Sequence, residues 1–290
     1  MRHAVWMRRA GVLGLFLLSG WVLAAEPAKA GERYLRFRSG DSTAYGVLEG
    51  DRVRELKGDL FGEFSKTDRT HALKDVTLLP PTKPTQVFAL ASNYRSHLGT
   101  EEIPPLLRIP QPFLKPVSCL IADGETIVIP KDAPGPVVAE GELVIVIGKR
   151  ASKVSKEDAL DYVLGVTCGN DVSDRHWQND EGDKDIQWWR AKGADTFGPV
   201  GPYIASGLDY DNLLLRVRIN GEVKQEENTS NMIHNVADTV SFISRYVTLH
   251  PGDLIFTGTS GETPTLHPGD VVEVEMEGVG VLRNTVAGEE

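Results

Sequence analysis

The chain has 290 residues, 41% of them apolar and 25% charged, with a formal net charge of −10. That composition supports one or two domains with a sizeable core and excludes a disordered or fibrous chain. An acidic body offers no general field for nucleic acid or anionic membrane, and two cysteines, Cys119 and Cys168, are too few for a disulfide scaffold.

The N-terminus is basic at Arg2, Arg8 and Arg9, then uncharged from Ala10 to Ala25, ending in Val-Leu-Ala-Ala-Glu-Pro. Residues 1–25 read as a secretory signal peptide, because the run is short for a membrane span and closes on small residues. An uncleaved anchor is the alternative, with Trp21 extending the apolar segment. Cleavage would remove three arginines and no acid, moving the formal charge from −10 to −13. The expected location is secreted or periplasmic, with no membrane association after cleavage.

Residues 26–32 form a small polar linker. Over 33–80 the pieces Arg33–Arg38, Ala44–Leu48 and Arg52–Leu56 alternate with Ser-Gly-Asp and Glu-Gly-Asp turns, the pattern of a small β-rich N-terminal unit. Pro80-Pro81 and Pro84 mark a boundary before the apolar run Val87–Ala91. The remainder reads as short strands, with helices expected near 155–162 and 231–246. In the first, Ser155 would be an N-cap followed by first-turn acids. In the second, Met232, Val236, Val240, Ile243 and Val247 recur at helical spacing. Leu-His-Pro-Gly-Asp occurs at 249–253 and again at 266–270, each time before a strand. The class is mixed α/β and β-rich, without a Rossmann or P-loop signature. Cys168 sits in an apolar run and is expected to be a buried free thiol.

Glu140 and Glu142 precede Leu143–Ile147, a segment apolar on both faces. Strand side chains alternate, so residues two apart share a face, and a strand apolar on both faces is usually buried on both. Two carboxylates together at the edge of an apolar interior call for a cation between them, and a hard divalent metal fits. Glu273, Glu275 and Glu277 share that spacing, but they alternate with Val272, Val274 and Met276 as the solvated face of an ordinary half-exposed strand. Some 30 residues on, Asp171 follows another apolar run. A helical turn there would put Asp171, Arg175 and Gln178 on one face. Further along come Trp189-Arg-Ala-Lys-Gly, Asn220-Gly with Gln225 and Asn228-Thr229, and Gly252-Asp-Leu-Ile-Phe-Thr-Gly-Thr-Ser-Gly.

In this order and spacing, the pieces resemble the fumarylacetoacetate hydrolase family from about Gln86 to Asn284. The resemblance implies a β-roll catalytic domain over 81–290, with 33–80 as the small N-terminal domain many members carry. It implies a Mg²⁺ site, or Mn²⁺ or Ca²⁺, at Glu140, Glu142 and Asp171, and an active-site lysine at Lys192. It places Tyr94, Arg175, Gln178 and Thr259 on the substrate side. Asn93-Tyr-Arg-Ser-His resembles the family's lid, whose histidine, here His97, works with a glutamate three residues later. That position holds Thr100, and Glu101 and Glu102 come one and two residues too late. Gly99 would have to let the loop shift for Glu101 to partner His97; otherwise the dyad is absent. The implied substrate is a small 2-oxo acid and the implied assembly a homodimer. Hydrolysis of a C–C bond in a 2,4-dioxo acid is the first expectation, with His97 as base toward water and Lys192 holding the departing enolate. Tautomerisation, isomerisation, decarboxylation or hydration of a related acid is the alternative, and an exported metal-dependent binding protein that has lost turnover is another.

Overall fold

Short alternating segments build the N-terminal part of the molecule. The computed structural model describes Met1, residues 31–100 and residues 102–290. The signal-peptide reading, most of the linker and Glu101 lie outside the described residues.

Arg33–Ser39, Ser42–Glu49, Arg52–Gly58 and Phe64–Ala72 form an antiparallel meander. Its first two loops are two residues long and open on Gly40 (φ 57°) and Gly50 (φ 65°), the left-handed start that a tight hairpin demands and glycine adopts without strain. The meander joins a larger sheet through Arg33 opposite Ala205 and Tyr34 opposite Ile204. That sheet continues through Gly198–Ala205, Val163–Asn170, Gly141–Ile147, Leu254–Phe256 and Val87–Leu90 to Pro112–Lys115 at its far edge. A second sheet runs Glu222–Asn228, Leu214–Ile219, Val271–Met276, Gly280–Gly288, Thr126–Ile129. The β-rich class expected from the sequence is the one observed.

The central strand Gly141–Ile147 is buried at every position, with a different core on each face. Leu143, Ile145 and Ile147 pack with Leu215, Val217 and Val274 of the second sheet. Val144 and Val146 pack with Tyr34, Val47 and Leu56 of the meander, together with Phe256. The uninterrupted apolar run therefore arises as anticipated, by covering both faces. Glu273 and Glu275 sit on the outward face of their strand and pair with Arg283 and Arg218, while Val272, Val274 and Met276 point inward. Cys119 and Cys168 are both buried and free.

The two helix expectations fare differently. Val236–Tyr246 is an α-helix capped by Asn235, whose side chain accepts from Asp238 N–H, and it buries Val236, Val240 and Ile243. Met232 lies ahead of the helix and Val247 just past it, 38% exposed, so the apolar stripe is shorter than its periodicity suggested. Over 155–162 only a 3₁₀ turn forms, Ala159–Tyr162. Ser155 bonds Asp158 in a local turn, and the chain enters the strand at Val163 before a helix has room to propagate. The two Leu-His-Pro-Gly-Asp copies make the same turn: Asp253 Oδ2 accepts from His250 N–H and Asp270 Oδ2 from His267 N–H, each at 2.7 Å.

Candidate active site

Two neighbouring antiparallel strands deliver the carboxylates. Glu142 lies opposite Gly169 and Gly141 opposite Asn170, so Asp171, one residue beyond the strand end, comes level with Glu140 and donates its N–H to Glu140 O at 2.9 Å. Asn170 Oδ1 accepts from Glu140 N–H at 2.9 Å. Gly169 is required for this approach, since a Cβ there would stand 2.4 Å from Val144 Cγ2 and 2.6 Å from Phe256 Cε1. Asp171 is not on a helix with Arg175 and Gln178, contrary to the spacing argument. The helix is only Arg175–Asn179, capped by Asp174, because the short strand Ser173–Asp174 pairs with Val137–Val138 and holds the intervening backbone extended.

Glu140, Glu142 and Asp171 are buried, with ligand-type oxygens all within 4.8 Å of one another. Three cations surround them. Lys192 Nζ donates to Glu140 Oε2 at 2.8 Å, Asp171 Oδ2 at 2.7 Å and Ser173 Oγ at 2.6 Å. Arg175 reaches Glu140 Oε1 at 2.7 Å. Lys115 Nζ donates to Asp171 Oδ1 at 2.6 Å and Phe197 O at 3.2 Å, and also to the Lys192 carbonyl. Burial alone would raise the Asp171 carboxyl, but Lys115 and Lys192 together hold it below its ordinary value. Burial likewise opposes the Lys192 charge, and Asp171 and Glu140 overcome it, so its ammonium is held above its usual range. Glu142 goes the other way: burial first, then the Asp171 and Glu140 charges, push it up.

Glu142 is also the least satisfied of the three. Its Oε2 accepts from Gly258 N–H at 2.6 Å, while its buried Oε1 has no hydrogen-bond partner among the described residues. A buried carboxylate oxygen without a donor, beside two further carboxylates, suits a hard divalent cation that takes oxygen ligands.

Lys192 sits on the short helix Trp189–Gly193. That helix abuts Pro116, because a Cβ on Gly193 would lie 2.4 Å from Pro116 Cδ, and this contact brings Lys115 and Lys192 together. Lys192 is 3% exposed. Tyr94 is buried beside Glu142, and burial and then that charge push its phenol up. Arg175 also bonds Gln178 Oε1 at 2.5 Å and Thr263 Oγ1 at 2.7 Å. Thr259 Oγ1 donates to Gly141 O at 3.1 Å and accepts from Gln225 Nε2 at 3.2 Å. His97, on the short helix Arg95–Leu98, places Nδ1 2.7 Å from Gly261 O. Tyr94, Glu140, Glu142, Asp171, Arg175, Gln178 and Lys192 are thus linked around one centre. Thr259 joins through Gly141, and His97 stands at the far end of the 258–261 turn.

Sequence reasoning missed Lys115 and Ser173. Lys115, 3% exposed, had one signal, a lone lysine in Phe-Leu-Lys-Pro. A cleft of about 1030 Å³, bounded by Phe88, Phe113, Leu114, Ile186 and Trp188, touches the cluster only through Lys115. Concentrated buried charge, not cavity size, marks the site.

The family model for the C-terminal domain of fumarylacetoacetate (FAA) hydrolase matches residues 86–287. The chain belongs to the fumarylacetoacetate hydrolase family. A separate model, Rv2993c-like N-terminal, matches residues 32–81. The crystal structure of 2-hydroxyhepta-2,4-diene-1,7-dioate isomerase from Mycobacterium marinum is similar with a TM-score of 0.80 and 40% identity, covering 89% of this chain and 99% of that one. The mitochondrial oxaloacetate tautomerase FAHD2A of Bos taurus is 37% identical over 223 residues, 73% of this chain and 70% of its own. Maleylpyruvate hydrolase from Sphingobium sp. SYK-6, solved with manganese(II) and pyruvate, is 26% identical with a TM-score of 0.73, covering 89% of this chain and all of that one. The family therefore spans isomerases, tautomerases and hydrolases acting on small molecules.

Proposed function

We propose that this protein catalyses enolisation of a small 2-oxo dicarboxylic acid, as keto–enol tautomerisation or double-bond isomerisation. The observation that carries the reading is the pairing of a buried three-carboxylate site with a histidine, His97, whose hydrogen-bond partner among the described residues is a backbone carbonyl, Gly261 O. Thr100 stands where the family resemblance expects the acid of a hydrolytic dyad. Relatives named as isomerase and tautomerase are 40% and 37% identical, against 26% for the hydrolase.

Glu140, Glu142 and Asp171 would hold a divalent cation such as Mg²⁺ or Mn²⁺, which would supply Lewis acidity toward the 2-oxo acid. Lys192 presents a fixed ammonium where negative charge develops on oxygen, already oriented by Glu140, Asp171 and Ser173. Arg175 offers a planar fork suited to a carboxylate. His97 removes a proton from the carbon beside the ketone and returns it, a task that needs no activated water. C–C bond hydrolysis is the second reading, favoured by the lid position of His97, which would then act on water.

The test is a metal-supplemented assay of oxaloacetate enol–keto interconversion, with deuterium exchange followed by NMR, run beside cleavage assays on acylpyruvates. Accelerated interconversion that Lys192→Met abolishes is expected. Acylpyruvate cleavage without faster enolisation would hand the function to the hydrolytic reading.

A further inference from the structure

Two consecutive residues of the Arg95–Leu98 helix grip the backbone of one residue, Gly261, through the two peptide units that flank it. Ser96 Oγ accepts from Gly261 N–H at 3.2 Å, and His97 Nδ1 meets Gly261 O at 2.7 Å. A carbonyl oxygen only accepts, so Nδ1 carries the proton and the neutral ring keeps its lone pair on Nε2. Free histidine favours the opposite tautomer, so the grip selects the minor form.

The grip is backed on its outer side. Ser96 Oγ donates to Glu227 Oε2 at 2.8 Å, and Glu227 Oε1 accepts from Asn231 Nδ2 at 2.6 Å and from Asn228 N–H at 3.1 Å. Gly261 is in the left-handed region at φ 54°, which keeps both its N–H and its carbonyl turned toward the lid. At the other end of the same turn, Gly258 N–H holds Glu142 Oε2. One four-residue turn thus registers the lid against the carboxylate site.

We propose that Glu227 is a positioning residue which, through Ser96 and the backbone of Gly261, fixes His97 as the Nδ1–H tautomer and makes Nε2 the atom that takes the proton. The proton-transfer part rests on the enolisation reading, whereas the tautomer does not. Nε2 receives the proton from the carbon beside the ketone, the electron pair left behind becomes the enolate, and the imidazolium returns the proton to carbon or oxygen. The array takes over the orienting task that an acid at position 100 would perform. It sits near solvent, so it holds the lid without sealing it.

The deciding experiment is ¹⁵N–¹H correlation of the histidine rings in the full chain, above their titration range, with His97 assigned by the signal lost in His97→Gln. A protonated Nδ1 and an unprotonated Nε2 are expected, and a majority Nε2–H form would overturn the tautomer whether or not any substrate turns over. Glu227→Ala and Ser96→Ala should both shift the ring toward Nε2–H. They should also lower kcat roughly fivefold, the scale of one hydrogen bond, while KM and calorimetric metal affinity hold. Ser96→Thr should restore both signals. Unchanged tautomer and kcat in Glu227→Ala would remove Glu227 from the proposal.

Discussion

Replacing Lys115 with methionine tests whether the buried cations hold the site together. The methionine fills most of the volume but removes an ammonium that donates to Asp171 and to the carbonyls of Lys192 and Phe197. Breaking a buried pair by deleting one partner costs about 3–5 kcal/mol. Asp171 keeps Lys192 at 2.7 Å, which argues for the lower end, while each carbonyl left without a donor adds about 1 kcal/mol or more. The apolar replacement recovers part of this, leaving a net loss of about 3 kcal/mol, or a urea midpoint lower by about 1 M. The loss should depend on pH. In the wild type the Asp171 carboxyl is held low, so its contribution is present above the unfolded value, near 3.9, and fades as pH falls through the folded value. In the variant the folded value rises, and the gap between the proteins should shrink as pH drops below it. Urea unfolding in the presence of chelator, at about pH 7 and about pH 4, measures both quantities. A gap under about 1 kcal/mol, or one equal at the two pH values, would refute the account of Lys115 as the counter-ion of Asp171.

Glu142→Gln should weaken calorimetric binding of Mg²⁺ or Mn²⁺ by about 100-fold or more while a Glu273→Gln/Glu275→Gln control binds normally, because only the first pair faces Asp171. The same Glu142→Gln change should stabilise the chelated protein by about 1 kcal/mol above roughly pH 5. An acid whose folded value is raised disfavours folding once it must ionise, so equal or lower stability would contradict the direction assigned to Glu142. His97→Gln should cut turnover about 100-fold without changing metal affinity, and an active variant would remove His97 from proton transfer. Phe256→Ala empties a fully buried site between Val144 and the meander core, and thermal or urea unfolding should register a loss of about 3–5 kcal/mol.

Much of the site was legible because its signals are local. Glu142 lies in the strand that carries an uninterrupted apolar run and Glu140 just before it, and a run buried on both faces is visible without knowing its neighbours. The contrast with Glu273 and Glu275, where apolar and acidic residues alternate, was equally readable. What escaped depended on register between distant segments. Lys115 lies 56 residues before Asp171, and nothing in Phe-Leu-Lys-Pro says which edge of the sheet it reaches. The helix imagined through Asp171 failed because Ser173–Asp174 pairs with Val137–Val138, a contact made elsewhere in the chain. The 155–162 segment had cap residues but too few positions before the next strand. For His97, the missing acid at Thr100 was plain, whereas the Gly261 carbonyl that meets the ring comes from a turn 164 residues away.

The seam at Arg33 and Tyr34 has a consequence for anyone trimming this chain. The strand Gly198–Ala205 pairs with Val163–Asn170 and, among the described residues, with two short patches: Leu120-Ile121 at its beginning and Arg33-Tyr34 at its end. Deleting the first 81 residues to isolate the matched C-terminal portion would bare the second patch as an open strand edge. It would also uncover the apolar face of Val87, Val146 and Ile204 that Tyr34, Val47 and Leu56 cover. Exposed edges of that kind recruit other chains. A shortened version should therefore precipitate or self-associate before it loses its carboxylate geometry. A natural homologue lacking the meander has to blunt the same edge by another device, such as a charge, a bulge or a neighbouring subunit.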